Sequence, residues 1–292
     1  MTVPSESIDQ DVPARVLADV QFEIPYSSAA SYHEYYGSGA PPWRLGRGCG
    51  WQTFEVARRI ARHHGVRPTF LYAGGHAPAM YFEDGGLTLL DPYLPHLAPL
   101  RLRRADAVDG TVSAAVDAYP LRTRADGSAA PSRLAATWWL RDGVLLLEYA
   151  RYSPRRAATV THRAFTFHLG TELPFFPVPG GFARRMLLEP MQNNLSLRAL
   201  HPGDRCLREL VLPFTGRPRA ELRDPAFLMT KNNQGQVSRR GTPGYDEDLA
   251  GLADAVRATP EEVTAFVTDA AAIYDRVVPH TQEWPAYSVE DE

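Results

Sequence analysis

Between residues 46 and 93 the chain switches from the period of a helix to the period of a strand, and that switch limits the folds open to it. After Gly46-Arg47-Gly48, apolar Phe54, Ala57, Ile60 and Ala61 recur at helical spacing, and Gly65 stands where a helix ends in the left-handed conformation. β-prone residues then alternate as far as Phe82, the run Glu-Asp-Gly-Gly turns the chain, and LTLLD returns until Pro92 stops it. A helix feeding an antiparallel hairpin is predicted.

Three residues able to activate a thiol follow one another along this stretch. Cys49 falls in the first turn of the helix, where free backbone N–H groups and the positive end of the macrodipole favour negative charge on sulfur. A turn centred between Asp84 and Gly85 sets His76 opposite Tyr93 and Asp91 opposite Pro78. His76 and Asp91 are then diagonal neighbours on one face, about 7–8 Å apart at the backbone and within side-chain reach. A carboxylate so placed fixes the tautomer of an imidazole, and an imidazole so fixed deprotonates a thiol. Each residue also has a bland use: Cys49 as a buried small hydrophobe, His76 as a partner for a loop carbonyl, Asp91 as a turn residue. The joint placement favours chemistry. Gly46, Gly48 and Gly50 are expected to leave the sulfur uncovered. The N–H of Cys49 with one from the loop is expected to hold an oxyanion, with Gly50, Gln52 and Tyr93 as further positioning or donor candidates.

Composition narrows the partners. A chain of 292 residues allows one large or two ordinary domains, and 44% apolar residues can build a core. With 31 basic against 34 acidic residues and net charge −3, no global positive field recruits nucleic acid or an anionic membrane. Cys49 and Cys206 make no disulfide framework, the first thirty residues lack a signal-type apolar core, and no apolar run approaches the roughly 20 residues that span a bilayer. A cytoplasmic location without membrane attachment is expected. The other histidines lack metal-ligand spacing, so no metal is expected, and no phosphate loop, dinucleotide fingerprint or serine elbow occurs.

The rest of the chain divides into three segments. Residues 1–105 carry the thiol helix and the hairpin. Within them, 1–12 are polar and expected to be disordered, and VPARVLADVQFEIPY is read as a short helix and a strand. SSAASYHEYYGSGAPPW is read as an irregular approach whose Tyr32, Tyr35, Tyr36 and Trp43 either line an acyl pocket or pack as a surface loop. Residues 106–222 are expected to form an antiparallel sheet or barrel. Ala105–Ser132, rich in Ala, Asp and Gly, is read as an irregular connection with one edge strand, then ATWWL, VLLLEYARY and THRAFTFHL as strands. The rigid aromatic run TELPFFPVPGGF is read as a plug for the end of the barrel. Residues 223–292 hold a polar loop, MTKNNQGQVSRRGTPGYDED, read as solvated in preference to phosphate-binding, and a closing helix. In that helix Thr259, Pro260 and Glu262 form a capping box, and Val263, Phe266, Val267, Ala270, Ile273 and Tyr274 form one face. Helix, antiparallel strands, then helix is an α+β order.

The residues GRGCGWQTFEVARRIARHHGVRP, Gly75-His76 leading into a strand, and LLDPYLPHLAPLRL resemble the arylamine N-acetyltransferases and, more distantly, the transglutaminase-like cysteine enzymes. In that family a helix-borne Cys is followed by His and Asp on consecutive strands. The resemblance implies Cys49, His76 and Asp91 as its catalytic residues. The family motif has Arg-Gly-Gly-x-Cys with Glu and Asn soon after, whereas Gly50, Trp51 and Gln52 follow Cys49 here, and Asp91-Pro92 is closer to the transglutaminase-like version. A divergent branch is implied. Such a branch would take its acyl donor as a thioester on coenzyme A or on the phosphopantetheine arm of an acyl or peptidyl carrier protein, with no permanently bound cofactor. The expected reaction is release of the acyl chain from a Cys49 acyl-enzyme by an internal carbon nucleophile, a Dieckmann ring closure giving a tetramic acid or pyridone in natural-product biosynthesis. The alternatives are transfer to an amine, as in amide synthases, and a transglutaminase-like peptidase or amidase.

Overall fold

Val16, Leu17 and Val20 lie one turn or less apart and are all buried on the first helix, α1 (Asp11–Glu23). The computed structural model describes residues 11–83, 85–173, 180–188 and 193–279, so residues 1–10 and the middle half of the TELPFFPVPGGF run lie outside it. A two-residue strand, β1 (Tyr26–Ser27), leads into α2 (Ser28–Tyr36), whose N-cap Ser27 accepts the Ala30 N–H at 3.0 Å. The irregular approach expected here is therefore a helix in its first half. Its small residues gave no apolar stripe to read, because Ala29, Ala30 and Tyr32 are completely enclosed. Tyr32 is a core residue and donates its hydroxyl to the Leu187 carbonyl at 2.6 Å, so it lines no acyl pocket.

Helix α3 (Cys49–His64) starts at Cys49 and ends at Gly65, which adopts φ +68°. Strands β2 (Thr69–Phe70), β3 (Ala79–Glu83), β4 (Gly86–Leu90) and β5 (Leu100–Arg103) then form an antiparallel sheet in that order. The β3–β4 pairing runs from Ala79–Leu90 through Met80–Leu89 to Glu83–Gly86. Alternation sends Ala79, Tyr81 and Leu90 into a core with α1 and α3, and Met80, Leu87 and Leu89 into a second core on the opposite face. Burying each such Leu or Met is worth about 1.5–3 kcal/mol. A one-residue slip would exchange the two sets, so the register is firmly specified.

The second core is closed by four long strands, β6 (Thr111–Thr123), β7 (Ala129–Trp139), β8 (Val144–Ser153) and β9 (Ala158–His168), an open meander that contributes Leu134, Trp138, Leu145, Leu147 and Phe167. The one edge strand expected within 105–132 is present as β6, longer than an irregular connection allows, and β7 starts within the same stretch. Ala, Asp and Gly are poor β formers, and their pairing with β7 outweighs that preference. Pro120 is tolerated because β6 is an edge strand and its register shifts between Ala118 and Leu121.

After helix α4 (Gly180–Leu187) come β10 (Asn194–Leu200), β11 (Leu207–Pro213), β12 (Met229–Lys231) and β13 (Val237–Arg239). They form a five-stranded antiparallel sheet with β1 at its edge, in the order β1-β10-β11-β12-β13. This sheet joins residues 26–27 to strands on both sides of position 222. Helices α5 (Pro243–Ala255) and α6 (Pro260–Val277) and helix α2 cover it, enclosing Leu197, Leu210, Leu252, Val263, Val267 and Tyr274. The capping box at Thr259 and Glu262 is present. The polar loop expected over 229–248 is instead a β-hairpin followed by α5. Glycines and acids masked that helix, and Lys231, read as solvated, is 4% exposed within β12.

Candidate active site

Gly74 and Gly75, with φ of +56° and +79°, make the two-residue turn whose flanking Ala73 and His76 exchange backbone hydrogen bonds of 2.9 and 3.0 Å. The turn delivers His76 just ahead of β3, while Asp91 follows directly on β4. The two side chains meet: Nε2 of His76 donates to Oδ2 of Asp91 at 2.6 Å, with the residues 3% and 0% exposed. Asp91 is held on its other oxygen by the backbone N–H groups of Tyr93 at 3.2 Å and Leu94 at 3.4 Å.

With Nε2 committed, Nδ1 is the nitrogen left for the thiol. Cys49, at the first position of α3 and half-buried, is an electrostatic neighbour of His76. Nδ1 itself is buried and makes no hydrogen bond of ordinary geometry, so the thiol–imidazole contact is a loose one. Contacts of this kind are often long before substrate binds. Burial acts to lower the pKa of His76, but the Asp91 carboxylate and then the thiol outweigh it and hold the imidazole well above its ordinary value.

Aromatic rings wall the imidazole. Phe165 on β9 lies 4.6 Å from it and Tyr93 5.1 Å, and Tyr26 meets Tyr93 edge-on at 4.8 Å. Arg198 on β10 sits 5.0 Å from both tyrosine ring centres and donates to the Tyr93 carbonyl at 2.6 Å. Burial raises the Tyr26 phenol well above its ordinary value, and the neighbouring Tyr93 and Cys49 push the same way. Tyr26, Phe165 and Arg198 were not legible as site residues. They come from distant parts of the chain and only the sheet order gathers them.

His96 is the other residue that spacing missed. Completely enclosed, it accepts the Asp91 N–H on Nε2 at 2.9 Å and donates from Nδ1 to the Ala98 carbonyl at 2.6 Å, while its own carbonyl takes the Gln21 amide at 3.0 Å. Burial lowers its pKa, consistent with the neutral ring these bonds require. It is a positioning residue for Asp91.

The remaining candidates separate. Gly50 faces open space where a side chain would stand, so the approach to the thiol is free there. Gly46 and Gly48 do not expose the sulfur: a Cβ would meet the Pro25 carbonyl at 2.6 Å and the Ser31 hydroxyl at 2.8 Å, so both serve close packing. Gln52 is turned away from the role of donor, being 3% exposed with its amide bonded to the Ile24 carbonyl at 2.7 Å. Tyr93 serves through its ring against His76 and its backbone N–H on Asp91. The N–H groups of Cys49 and Gly50 open the helix and have no intrahelical acceptor. Among the described residues no group of three or more His, Cys, Asp or Glu is placed to hold a metal ion. Comparison of the chain with protein-family models, with curated proteins and with solved structures found no match.

Proposed function

We propose that the protein is a cysteine-dependent acyl-transfer enzyme acting on a thioester, and that Cys49 is its nucleophile. The observation that carries this reading is the buried His76–Asp91 pair, with the helix-opening thiol of Cys49 among the neighbours of its imidazole. The Cys49 thiolate attacks the donor carbonyl, the Cys49 and Gly50 N–H groups stabilise the oxyanion, and the donor thiolate leaves with the proton of the His76 imidazolium. Exchange of one thioester for another costs little, so coenzyme A or a carrier-borne phosphopantetheine thioester is the donor that suits a thiol nucleophile.

Release follows when a carbon acid within the acyl chain loses a proton to neutral His76. Its carbanion forms the new C–C bond to the acyl carbonyl, and the C–S bond breaks to restore Cys49. The high basicity that Asp91 confers on His76 favours this carbon nucleophile, because an acidified methylene needs a stronger base than an amine does. The product is the cyclic Dieckmann type, a tetramic acid or pyridone. Two free cysteines fit the reducing cytoplasm, where such donors are made; no helix among the described residues is long and apolar enough to cross a membrane.

The test is intact-mass analysis after mixing with β-ketoacyl-aminoacyl pantetheine thioesters. A mass gain lost in Cys49→Ala and kept in Cys206→Ala, followed by a cyclic product, supports the reading. A linear amide formed only with added amine would reassign the acceptor, and cleavage of peptides in place of thioesters would reassign the donor. No adduct on Cys49 with any thioester would sink the proposal.

A further inference from the structure

Where the β8–β9 turn meets the loop between β12 and β13, a cavity of about 200 Å³ is lined by Arg122, Arg151, Arg155, His162, Gln234 and Gly235 among others. Taking about 30 Å³ per water, it has room for six or seven, enough for a phosphoryl group and part of its ester. Its basic character is built in. Arg122 and Arg151 are 4% and 3% exposed, and none of the described residues lining the cavity is an acid.

Both guanidiniums are anchored. Arg122 donates to the carbonyls of Asn233 at 3.1 Å and of Tyr152, and Arg151 donates from Nε to the Tyr149 hydroxyl at 3.0 Å and lies over that ring. Gly235 beside them has φ +81°, a conformation that favours glycine, and a Cβ there would fall 2.6 Å from Nη2 of Arg122. Burial, with Arg151 next to it, pulls Arg122 down to about 10. His162 is held well below its ordinary value by burial and by Arg151, Arg163, Lys231 and Arg198 around it. Buried like charges repel, and an anion between them would relieve the strain.

The basic groups do not stop at the cavity. Arg198, an electrostatic neighbour of His162, is the residue that stacks on Tyr26 and Tyr93, and Tyr26 is in turn an electrostatic neighbour of Arg163 and Cys49. Arg198 and Arg163 are thus shared neighbours of His162 at the cavity and of Tyr26 beside the thiol. We infer that this cavity is an anion site that takes a phosphate ester, the phosphate of the pantetheine arm that carries the acyl group to Cys49. The assignment to that arm rests on the acyl-transfer reading above; the phosphate site itself does not.

The experiment uses the full chain, its Arg151→Gln and Arg155→Gln variants, and calorimetry at low salt with pyrophosphate, pantetheine, phosphopantetheine and coenzyme A. The wild type is expected to bind phosphopantetheine about tenfold or more tighter than pantetheine, as hydrogen bonds to a charged group imply. Arg151→Gln should shrink that ratio toward one. Arg155→Gln, on the exposed rim, should shrink it less and cannot owe its effect to a disrupted interior. Coenzyme A binding no tighter than phosphopantetheine assigns the site to the single phosphodiester shared by free and carrier-borne arms; a further gain assigns it to free coenzyme A. Equal binding of the phosphorylated and unphosphorylated arms, with both variants like the wild type, overturns the site. Pyrophosphate binding that depends on Arg151, with no thioester ever acylating Cys49, would keep the site and remove the acyl-transfer reading.

Discussion

An imidazole sealed from water is ordinarily neutral, and His76 departs from that because a carboxylate lies 2.6 Å away. Its pKa is raised on folding, so its contribution to stability is present in full below the unfolded value of about 6.5 and is lost as pH rises through the folded value. Asp91→Asn should therefore lower the denaturant midpoint more at pH 6 than at pH 10, and equal losses at both would count against a charged pair. His96 gives a second prediction. Replacing it with Phe orphans the Asp91 N–H and the Ala98 carbonyl at about 1–3 kcal/mol each, and should slow alkylation of Cys49 by iodoacetamide; a variant as stable and as reactive as the wild type would refute the positioning role. The His76–Asp91 contact could be found in the sequence because the two residues flank one hairpin. His96 could not: its value lies in the two backbone groups it joins, and nothing in its spacing announces that.

Two glycines beside Cys49 separate packing from access at the level of the elements. Gly46 has φ +89° and ψ 178°, a region held essentially by glycine, and Gly46→Ala should cost about 1–3 kcal/mol from strain alone, read as a fall in urea midpoint. Gly50→Ala should do the opposite to stability, gaining up to about 1 kcal/mol in a helix, while the methyl narrows the open approach to the sulfur and lowers turnover. If turnover were unchanged, the acyl group would have to arrive from another side. Helix α3, the β3–β4 register and α6 were readable because period, turn glycines and a capping box agree at each. Helix α2, the full length of strand β6 and helix α5 were not. Their Ala, Ser, Gly and Asp residues carry little local preference, and burial between other elements decides their state.

Across the whole molecule, the β3–β4 hairpin is the layer with a core on each side. Its amides should exchange with solvent at rates set by global unfolding, whereas the β6 edge should open locally and exchange sooner; hydrogen-exchange mass spectrometry distinguishes them, and faster exchange in β4 than in β6 would contradict the layering. The α+β class was legible from element order. The mixing of first and last strands in one sheet was not, since two residues at β1 leave no periodic trace.

That mixing sets a condition on synthesis. A nascent polypeptide emerging from the ribosome exposes Cys49, His76 and Asp91 early, yet β1 pairs with β10, which arrives more than a hundred and fifty residues later. Until then Arg198 is missing from beside Tyr26 and Tyr93, and the thiol waits beside an unfinished wall. A message truncated near residue 190 would thus yield Cys49, His76 and Asp91 without the strand that β1 pairs with.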